Sequence, residues 1–387
     1  VTNISLVEVL GDKPRLDYDP SNPTCPHLLL EPQITNLFPF SEDYTQSDWT
    51  KSNVTITSNS IISPDGTLNA SKLIEDTANS THRISDTIIV SGTNVAYTQS
   101  IFAKSGGNGR YLRIFRGSGT YNNAVFDLEK GIVVTQGGSR LISAKIEKYP
   151  NGWYRCISTY TTQFSNIATY YGLQNGSTDS YQGDGTSHIY LWGAQLEEGS
   201  YATSYIPTAG STETRVGESC FIPGIDNGIL NQNAFTLLLD TSVLNDTVNN
   251  FLELIILYNS SDPSTTNLRF ESRTNGQVYV QHQNCVNSGD NFNSATFGSN
   301  SVDFKNFLIS CSTSEVKIWA DGNKINDYSG SYVFAFDRIG FRNNTGIVET
   351  ILKHNAVALY NRVLTDTESY TITSTQYSAY SGMVAAL

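Results

Sequence analysis

The stretch Ala124-Val125-Phe126-Asp127-Leu128-Glu129-Lys130-Gly131-Ile132-Val133-Val134 places two short apolar runs on either side of a polar turn. Short runs of apolar and β-branched residues bounded by turn residues are typical of strands. Gly131 stands where the loop needs a positive φ to reverse the chain, which glycine adopts without steric cost. The stretch therefore predicts a β-hairpin and an antiparallel sheet.

Strand-like runs of this kind recur on both sides of the hairpin. The run 111–116 ends at the turn sequence Gly117-Ser118-Gly119, and the run 188–196 is longer. Because side chains alternate between the two faces of a strand, residues two positions apart share a face. In the longer run this predicts four core residues on one face: Tyr190, Trp192, Ala194 and Leu196.

Composition divides the chain into three parts. Residues 1–40 are rich in proline, which disfavours helix interiors and central strands, and are predicted to form an extended N-terminal arm or connector. Residues 41–215 carry the alternating runs and end in a polar, linker-like stretch, and residues 216–387 carry a second set of runs. We predict an all-β protein with two antiparallel β-sandwich (jelly-roll) domains in tandem after the arm.

Two local signals support this view of residues 216–387. Asp321-Gly322 lies between alternating flanks, which predicts a second tight hairpin. Thr365-Asp366-Thr367-Glu368 has the form of a capping box, which predicts the start of a short helix.

Charge and cysteine content exclude several kinds of partner. The chain of 387 residues has a formal net charge of -12 and no run of Lys or Arg, so nucleic acid is not an expected partner. The apolar stretch 251–257 is too short to span a membrane. The five cysteines contain no C-x-x-C pair, which argues against a zinc site, although one long-range bridge such as Cys285 with Cys311 stays open.

Sequence motifs for catalysis are absent. The five histidines are scattered, and the chain has no G-x-S-x-G, H-E-x-x-H or phosphate-loop motif. A glycosidase requires only two suitably spaced carboxylates, so a glycan-depolymerising enzyme stays open as an alternative. We predict a protein that is not an enzyme.

Several phrases in residues 28–215 carry a family resemblance. The chain resembles a module recurrent in phage tail and fibre proteins, and that module is similar to jelly-roll carbohydrate-binding modules. The phrases that carry the resemblance are Leu28–Leu37, Ser41–Tyr44, Trp49-Thr50, Ser63–Thr67, Asn151–Cys156, Gly183–Ser187, Trp192–Ser200 and Ser204–Thr208.

The second half of the chain has a different likeness. Gly346–Glu349 and Val357–Glu368 are similar to the ending of laminin-G-like or concanavalin-A-like modules. That resemblance implies a lectin module whose rim loops bind metal or sugar. The candidate rim residues are Asp303, Asp321, Asn343 and Asn344.

Exposed aromatic rings are the candidate sugar contacts of the first module, since pyranose rings stack on Tyr and Trp. Trp153 and Trp192 lie in strands with apolar neighbours, so we interpret both as core residues. Tyrosines near turns or on outward positions are the better candidates, although tyrosine is also a common strand residue. These glycan-binding candidates are Tyr121, Tyr160, Tyr170, Tyr171 and Tyr181.

The jelly-roll resemblance also implies a structural calcium near the sandwich ends, held by oxygen ligands. The first and last strands of such folds tend to meet, and this makes Glu42, Asp43 and Glu197 the candidate ligands. The alternative is that Glu197 and Glu198 form a solvated acidic turn, because no calcium-loop motif is present.

These resemblances together predict a virion surface protein, a spike or tail fibre, that binds glycans on the bacterial surface for host attachment. The N-terminal arm is expected to contact other virion proteins, and a homo-oligomer, most simply a trimer, is expected to gain by multivalency. Two alternatives remain: a structural virion protein that uses its sandwiches as spacers, and a secreted bacterial surface protein built from the same modules.

Overall fold

A computed structural model describes most of the chain. The described residues are 15–19, 22–90, 94–116, 123–162, 165–244, 252–261, 267–273, 277–283, 295–296, 305–342 and 351–374.

Strands make up most of the regular structure, and every strand pair among the described residues is antiparallel. Up to residue 215 the strands are β1 (Arg15–Asp19), β2 (Asn22–Leu30), β3 (Ile34–Asn36), β4 (Thr50–Ser52), β5 (Val54–Ile61), β6 (Ala70–Glu75), β7 (Asn79–Ile89), β8 (Ala96–Ser105), β9 (Arg110–Arg116), β10 (Asn123–Asp127), β11 (Ile132–Gly137), β12 (Leu141–Lys148), β13 (Trp153–Thr161), β14 (Asn166–Asn175), β15 (Ser180–Gln182), β16 (His188–Glu198) and β17 (Glu213–Arg215). Thereafter they are β18 (Ser219–Pro223), β19 (Ala234–Leu244), β20 (Leu252–Tyr258), β21 (Asn267–Arg273), β22 (Gln277–Gln283), β23 (Ala295–Thr296), β24 (Lys305–Ser312), β25 (Glu315–Ala320), β26 (Asn323–Ser329), β27 (Arg338–Arg342) and β28 (Ile351–Tyr360), followed by helix α1 (Asp366–Ser374). Pro150–Gly152 forms one 3₁₀ turn.

The first of two units, Ile34–Arg215, is a sandwich of two large antiparallel sheets, and β3 and β17 form a small third sheet in the same unit. One sheet has the strand order β11-β10-β9-β14-β7-β15, with β4 also paired to β7, and the other has the order β12-β13-β8-β16-β6-β5. Strands β7, β8 and β9 alternate between the sheets, as in a jelly roll. The all-β prediction is confirmed, and so is the hairpin of β10 and β11, which turns at Gly131 with a φ of +68°.

Strand β16 changes which of its faces points to the interior of this sandwich. Ile189 and Leu191 belong to the interior core before the change, and Ala194 and Leu196 belong to it afterwards. The pairing with β8 shifts register between Trp192 and Gln195, which is a β-bulge. Gly193 occupies the bulge with a φ of +63°, a conformation that favours glycine.

The bulge corrects one prediction about the core. Tyr190 and Trp192 do not share a face with Ala194 and Leu196, because the extra residue reverses the alternation between them. Trp192 packs instead with Phe102 on the opposite side of the sheet.

The second unit, formed by Gly11–Gln33 together with Val216–Leu387, also contains two antiparallel sheets. Their strand orders are β1-β2-β28-β19-β24-β25-β26 and β18-β27-β20-β21-β22-β23. The predicted hairpin at Asp321-Gly322 joins β25 and β26. Both residues have positive φ angles, 45° and 79°, which is the geometry of a tight hairpin turn.

The N-terminal segment departs from the sequence-based expectation. Residues 22–30 are not a separate arm, because β2 pairs with β28 of the second unit. Leu28 and Leu30 are 5% and 0% exposed and belong to the core of that unit. The prediction of an extended arm or connector over residues 1–40 is therefore wrong for this strand, which belongs to the second unit.

Helix α1 begins at the predicted capping box. The Thr365 backbone N–H donates to Glu368 Oε2 at 2.8 Å, and the Glu368 N–H donates to Thr365 Oγ1 at 3.3 Å. These reciprocal bonds satisfy donors that the first turn leaves open. Within the described ranges, no helix is long and apolar enough to cross a membrane.

Candidate functional site

Four of the five tyrosines predicted to bind glycans lie within the described residues, and Tyr121 lies outside them. Tyr160 and Tyr171 are 1% and 0% exposed, and Tyr181 is 8% exposed. These tyrosines were predicted to offer exposed rings near turns or on outward positions, but all three rings are buried. Tyr170 is partly exposed.

Two of the buried tyrosines have structural contacts that account for their positions. Tyr171 donates its hydroxyl hydrogen to the Ser100 carbonyl at 3.0 Å. The Tyr160 ring lies 3.4 Å from the guanidinium carbon of Arg116. These contacts hold the core together and leave no ring face for a sugar.

Tyr170 is held in place by its cross-strand neighbour. It pairs with Phe115 across β14 and β9, and the two rings stack with centroids 4.6 Å apart and an interplanar angle of 9°. A stacked partner limits the motion of a ring and fixes its plane. Tyr170 is therefore a pre-positioned aromatic surface at the outside of the sheet.

The pairing of β9, β14 and β7 builds two adjacent rows on that outer side. Ile114 and Tyr171 belong to the interior core, so residues one position away point outward. One row contains Phe115, Tyr170 and Ser85, and the next contains Arg113, Gly172 and Arg83. We call Arg83, Arg113, Phe115 and Tyr170 the aromatic–arginine face.

Arg113 is the anchored arginine of this face. Its Nε donates to Asn123 Oδ1 at 2.7 Å, and its Nη1 forms an ion pair with Asp179. Its guanidinium carbon lies 4.2 Å from the centroid of Phe115. Burial lowers the pKa of Arg113, the charge of Arg83 acts in the same direction, and Asp179 opposes both.

Arg83 is the second arginine of this face, and it forms no ion pair with another described residue. Its guanidinium carbon lies 4.7 Å from the centroid of Tyr170 and 5.6 Å from that of Phe115. Because the rings themselves are 4.6 Å apart, these distances place the guanidinium beside the ring pair. It therefore does not cover the face of Tyr170 that points away from Phe115. Its Nε is buried and has no hydrogen-bond partner within the part of the chain that the structure describes.

Such an arrangement combines two kinds of contact for a ligand. The Tyr170 ring offers an apolar surface, and a guanidinium offers several N–H donors in one plane. An apolar surface with a few convergent polar groups is typical of small-ligand sites.

The predicted calcium ligands are placed differently. The first and last strands do meet, since the Leu37 N–H donates to the Leu196 carbonyl at 2.8 Å. Glu197 is fully buried and accepts bonds from Thr203 Oγ1 at 2.6 Å and Gln195 Nε2 at 2.9 Å. Burial raises the pKa of Glu197. The alternative of a solvated acidic turn is thus wrong for this residue.

Glu42 and Asp43 also have protein donors of their own. Tyr205 donates its hydroxyl hydrogen to Glu42 at 2.9 Å, and burial raises the pKa of Glu42. The Thr45 N–H donates to Asp43 at 3.0 Å. Among the described residues, no group of three or more His, Cys, Asp or Glu side chains is arranged to hold a metal ion. The structure therefore does not bring Glu42, Asp43 and Glu197 together as a calcium site.

The remaining residues singled out from the sequence lie in the core, in a turn or outside the described ranges. Trp153 and Trp192 are 1% and 2% exposed, which confirms that they are core residues. Asp321 forms the hairpin turn, and its carboxylate accepts from the Asn306 N–H at 3.0 Å. Three rim residues and one cysteine lie outside the described ranges: Asp303, Asn343, Asn344 and Cys285.

Asp86 is a buried carboxylate that the sequence did not identify. It is 9% exposed, Oδ1 accepts from the Thr87 N–H at 2.6 Å, and Oδ2 has no partner in the described part of the chain. Burial raises its pKa to about 6. A carboxylate whose folded pKa lies above its unfolded value, about 4, favours folding at low pH, and this contribution is lost as the pH rises through about 6.

Replacing Asp86 with asparagine is therefore expected to stabilise the first unit by about 1 to 2 kcal/mol near neutral pH, because no charge has to be buried. Urea unfolding followed by tryptophan fluorescence measures the change. Below pH 4 the two proteins are expected to have similar stability. An equal difference at both pH values would show that ionisation of Asp86 is not the cause.

Sequence reasoning missed Arg83, Arg113 and Phe115. The signal was present, because Arg113-Ile114-Phe115 and Tyr170-Tyr171-Gly172 alternate between outward and inward positions. That alternation does not identify which of two adjacent tyrosines points outward. Pairing of β9 with β14 decides it, and this pairing joins distant parts of the sequence.

No family model matches the chain. No curated protein matches it either. The resemblance to phage tail and fibre modules therefore stays a prediction.

Among solved structures, the chain is similar to the binding domain of botulinum neurotoxin serotype D, with a TM-score of 0.32 and 11% identity over 40% of this chain and 39% of that domain. It is also similar to the CBM40 module of the Ruminococcus gnavus IT-sialidase, a structure bound to α2,3-sialyllactose. There the TM-score is 0.30 and the identity 12%, over 38% of this chain and 86% of that module. The chain thus spans about two fifths of the neurotoxin domain it matches. Likenesses this remote carry no argument about the ligand of this chain.

Proposed function

We propose that this chain binds carbohydrate through the aromatic–arginine face of its first unit. The observation that carries the proposal is the Tyr170 ring, which is partly exposed, stacked on Phe115 and flanked by the guanidinium of Arg83. The apolar face of a pyranose packs on such a ring, while hydroxyl groups accept from the guanidinium. No catalytic group is needed for this role, and we propose a binding protein and not an enzyme.

We further propose that the binding serves attachment of a bacteriophage to bacterial surface glycans, with the protein at the virion surface. The resemblance of residues 28–215 to phage tail and fibre modules supports this role. A homo-oligomer such as a trimer, held among other virion proteins, would turn weak single sites into firm attachment. Purified protein is expected to compete with phage particles for host cells. Unchanged adsorption at saturating protein would instead favour the structural role.

Replacing Tyr170 with alanine is expected to weaken glycan binding roughly tenfold, the effect of losing about 1.4 kcal/mol of contact energy. The measurement is a screen of the full chain on an array of bacterial glycans, followed by titration of the best ligand with both proteins.

Tyr370→Ala is the matched control, because Tyr370 is 55% exposed in helix α1 of the second unit. It is expected to bind like the unchanged protein. Equal losses in the two variants, or no binding of any glycan by the full chain, would overturn the proposal.

A further inference from the structure

We infer that the sugar bound at the aromatic–arginine face is acidic, with a carboxylate that pairs with Arg83 while its ring lies against Tyr170. This inference rests on the proposed function and specifies its ligand class. It follows from the two positive charges of the face and from the missing hydrogen-bond acceptor of Arg83 Nε.

Positive charge is concentrated at this face although the whole chain is acidic. Arg83 and Arg113 flank Gly172 on the two neighbouring strands, and both guanidinium carbons approach Phe115, at 5.6 and 4.2 Å. The formal net charge of the chain is -12, so a glycan acid is repelled by most of the surface. A face with two arginines is where such a glycan would be bound.

Of these two arginines, only Arg113 has a partner among the described residues that neutralises its charge. Asp179 and Asn123 engage Arg113, whereas the guanidinium of Arg83 has no ion pair or hydrogen bond within the described ranges. Its Nε is buried without an acceptor, which is costly for a charged donor. An incoming carboxylate supplies the missing acceptor and matches the planar fork of a guanidinium.

Gly172 has no side chain, and this allows Phe115 and Arg83 to pack closely against β14. A Cβ at that position would lie 3.3 Å from the His82 carbonyl, 3.4 Å from the Phe115 ring and 3.5 Å from Arg83 Cβ. The absent side chain therefore lets Phe115 and the stem of Arg83 lie close to β14. This keeps the guanidinium of Arg83 within 4.7 Å of the Tyr170 centroid, a separation that a sugar ring and its carboxylate can span.

The test compares ligands that differ only in the carboxyl group. Oligosaccharides of uronic acids and of nonulosonic acids are titrated into the full chain beside the same oligosaccharides after reduction of each carboxyl to an alcohol. We expect the acidic forms to bind at least tenfold more tightly, as for loss of one charge-assisted hydrogen bond. We also expect this preference to shrink as salt is added.

Substitutions at Arg83 test whether this residue causes the preference for acidic oligosaccharides. Arg83→Gln is expected to weaken binding of the acidic oligosaccharides more than binding of the reduced ones and so to remove the tenfold preference, and Arg83→Lys is expected to retain part of it. Arg362→Gln, an exposed arginine of the second unit, is the matched control. Tryptophan fluorescence of each variant checks that the first unit stays folded.

Each outcome decides between the two proposals. Equal binding of acidic and reduced forms, or an Arg83→Gln protein that keeps the preference, overturns the acidic ligand and leaves carbohydrate binding in place. Preference for sulfated over carboxylated oligosaccharides also overturns it, because the anion would be of another class. Binding of none of the sugars, acidic or neutral, overturns both.

Discussion

The Gly183→Ala protein is expected to lose about 3 kcal/mol of stability in its first unit, because the added methyl group has no space. The Cβ would lie 2.0 Å from the backbone oxygen of Asp76 and 2.8 Å from the His82 ring. A backbone oxygen cannot move without shifting its own segment, and the Asp76 N–H is held by the Asn53 carbonyl at 3.0 Å. The Gly183 N–H also donates to the Ala78 carbonyl at 3.0 Å, which holds the two segments together.

Urea unfolding followed by tryptophan fluorescence measures this effect, since Trp49, Trp153 and Trp192 lie in the first unit. Gly137→Ala is the matched control, because no atom lies within 4 Å of the Cβ position there. The control is expected to unfold at the same urea concentration as the unchanged protein. Equal midpoints for all three proteins would contradict the close approach at Gly183.

Replacing Glu75 with alanine is expected to destabilise the first unit by about 3 to 5 kcal/mol, because it removes a buried carboxylate and with it the main partner of Arg110, whose side chain is 11% exposed. Glu75 is 1% exposed and accepts two bonds from Arg110, both at 2.8 Å. It also accepts from the Tyr181 hydroxyl at 2.6 Å and from the Asp184 N–H at 3.0 Å. These four hydrogen bonds are lost in the variant, and Arg110 Nη2 keeps only its longer bond to Asp184 at 3.4 Å.

The stabilising effect of Glu75 is expected to depend on pH. Burial alone would raise its pKa, but the bonds from Arg110, Tyr181 and Asp184 outweigh burial and hold the pKa below its usual value. A lowered folded pKa gives stability that is present above the unfolded pKa, about 4.3, and is lost as the pH falls through the folded value.

Unfolding experiments near neutral pH and at acidic pH test this dependence. The difference between the unchanged protein and Glu75→Gln is expected to shrink as the pH falls. Glu213→Gln, an exposed acid of the same unit, is the control and is expected to have little effect at either pH. A constant difference for Glu75→Gln across the pH range would show that its charge is not involved.

Those features of the fold that depend on residues adjacent in sequence were predictable. The hairpin at Gly131, the turn at Asp321-Gly322 and the capping box at Thr365 are all set within a few residues, and all three are present. Features set by distant contacts were not predictable. The bulge at Gly193 and the pairing of β2 with β28 depend on strands far away in the sequence.

The candidate site, like the fold, could be predicted from the sequence only in part. Tyr170 was among the residues predicted from sequence, but so was its neighbour Tyr171, and only strand pairing shows that their rings lie on opposite sides of the sheet. Arg83 and Arg113 are far apart in the sequence, and the register with Gly172 brings them together. A sequence pattern that reports one strand at a time does not contain that information.

The position of β2 in the second unit has a consequence for biosynthesis. A chain is made from its N-terminus, so all of residues 34–215 leave the ribosome before β28, the partner of β2, has been translated. The first unit can thus fold early, as an insertion within the second. Leu28 and Leu30 meanwhile remain on a strand whose edge toward β28 is still open, which is the kind of surface that recruits chaperones or aggregates when translation stalls.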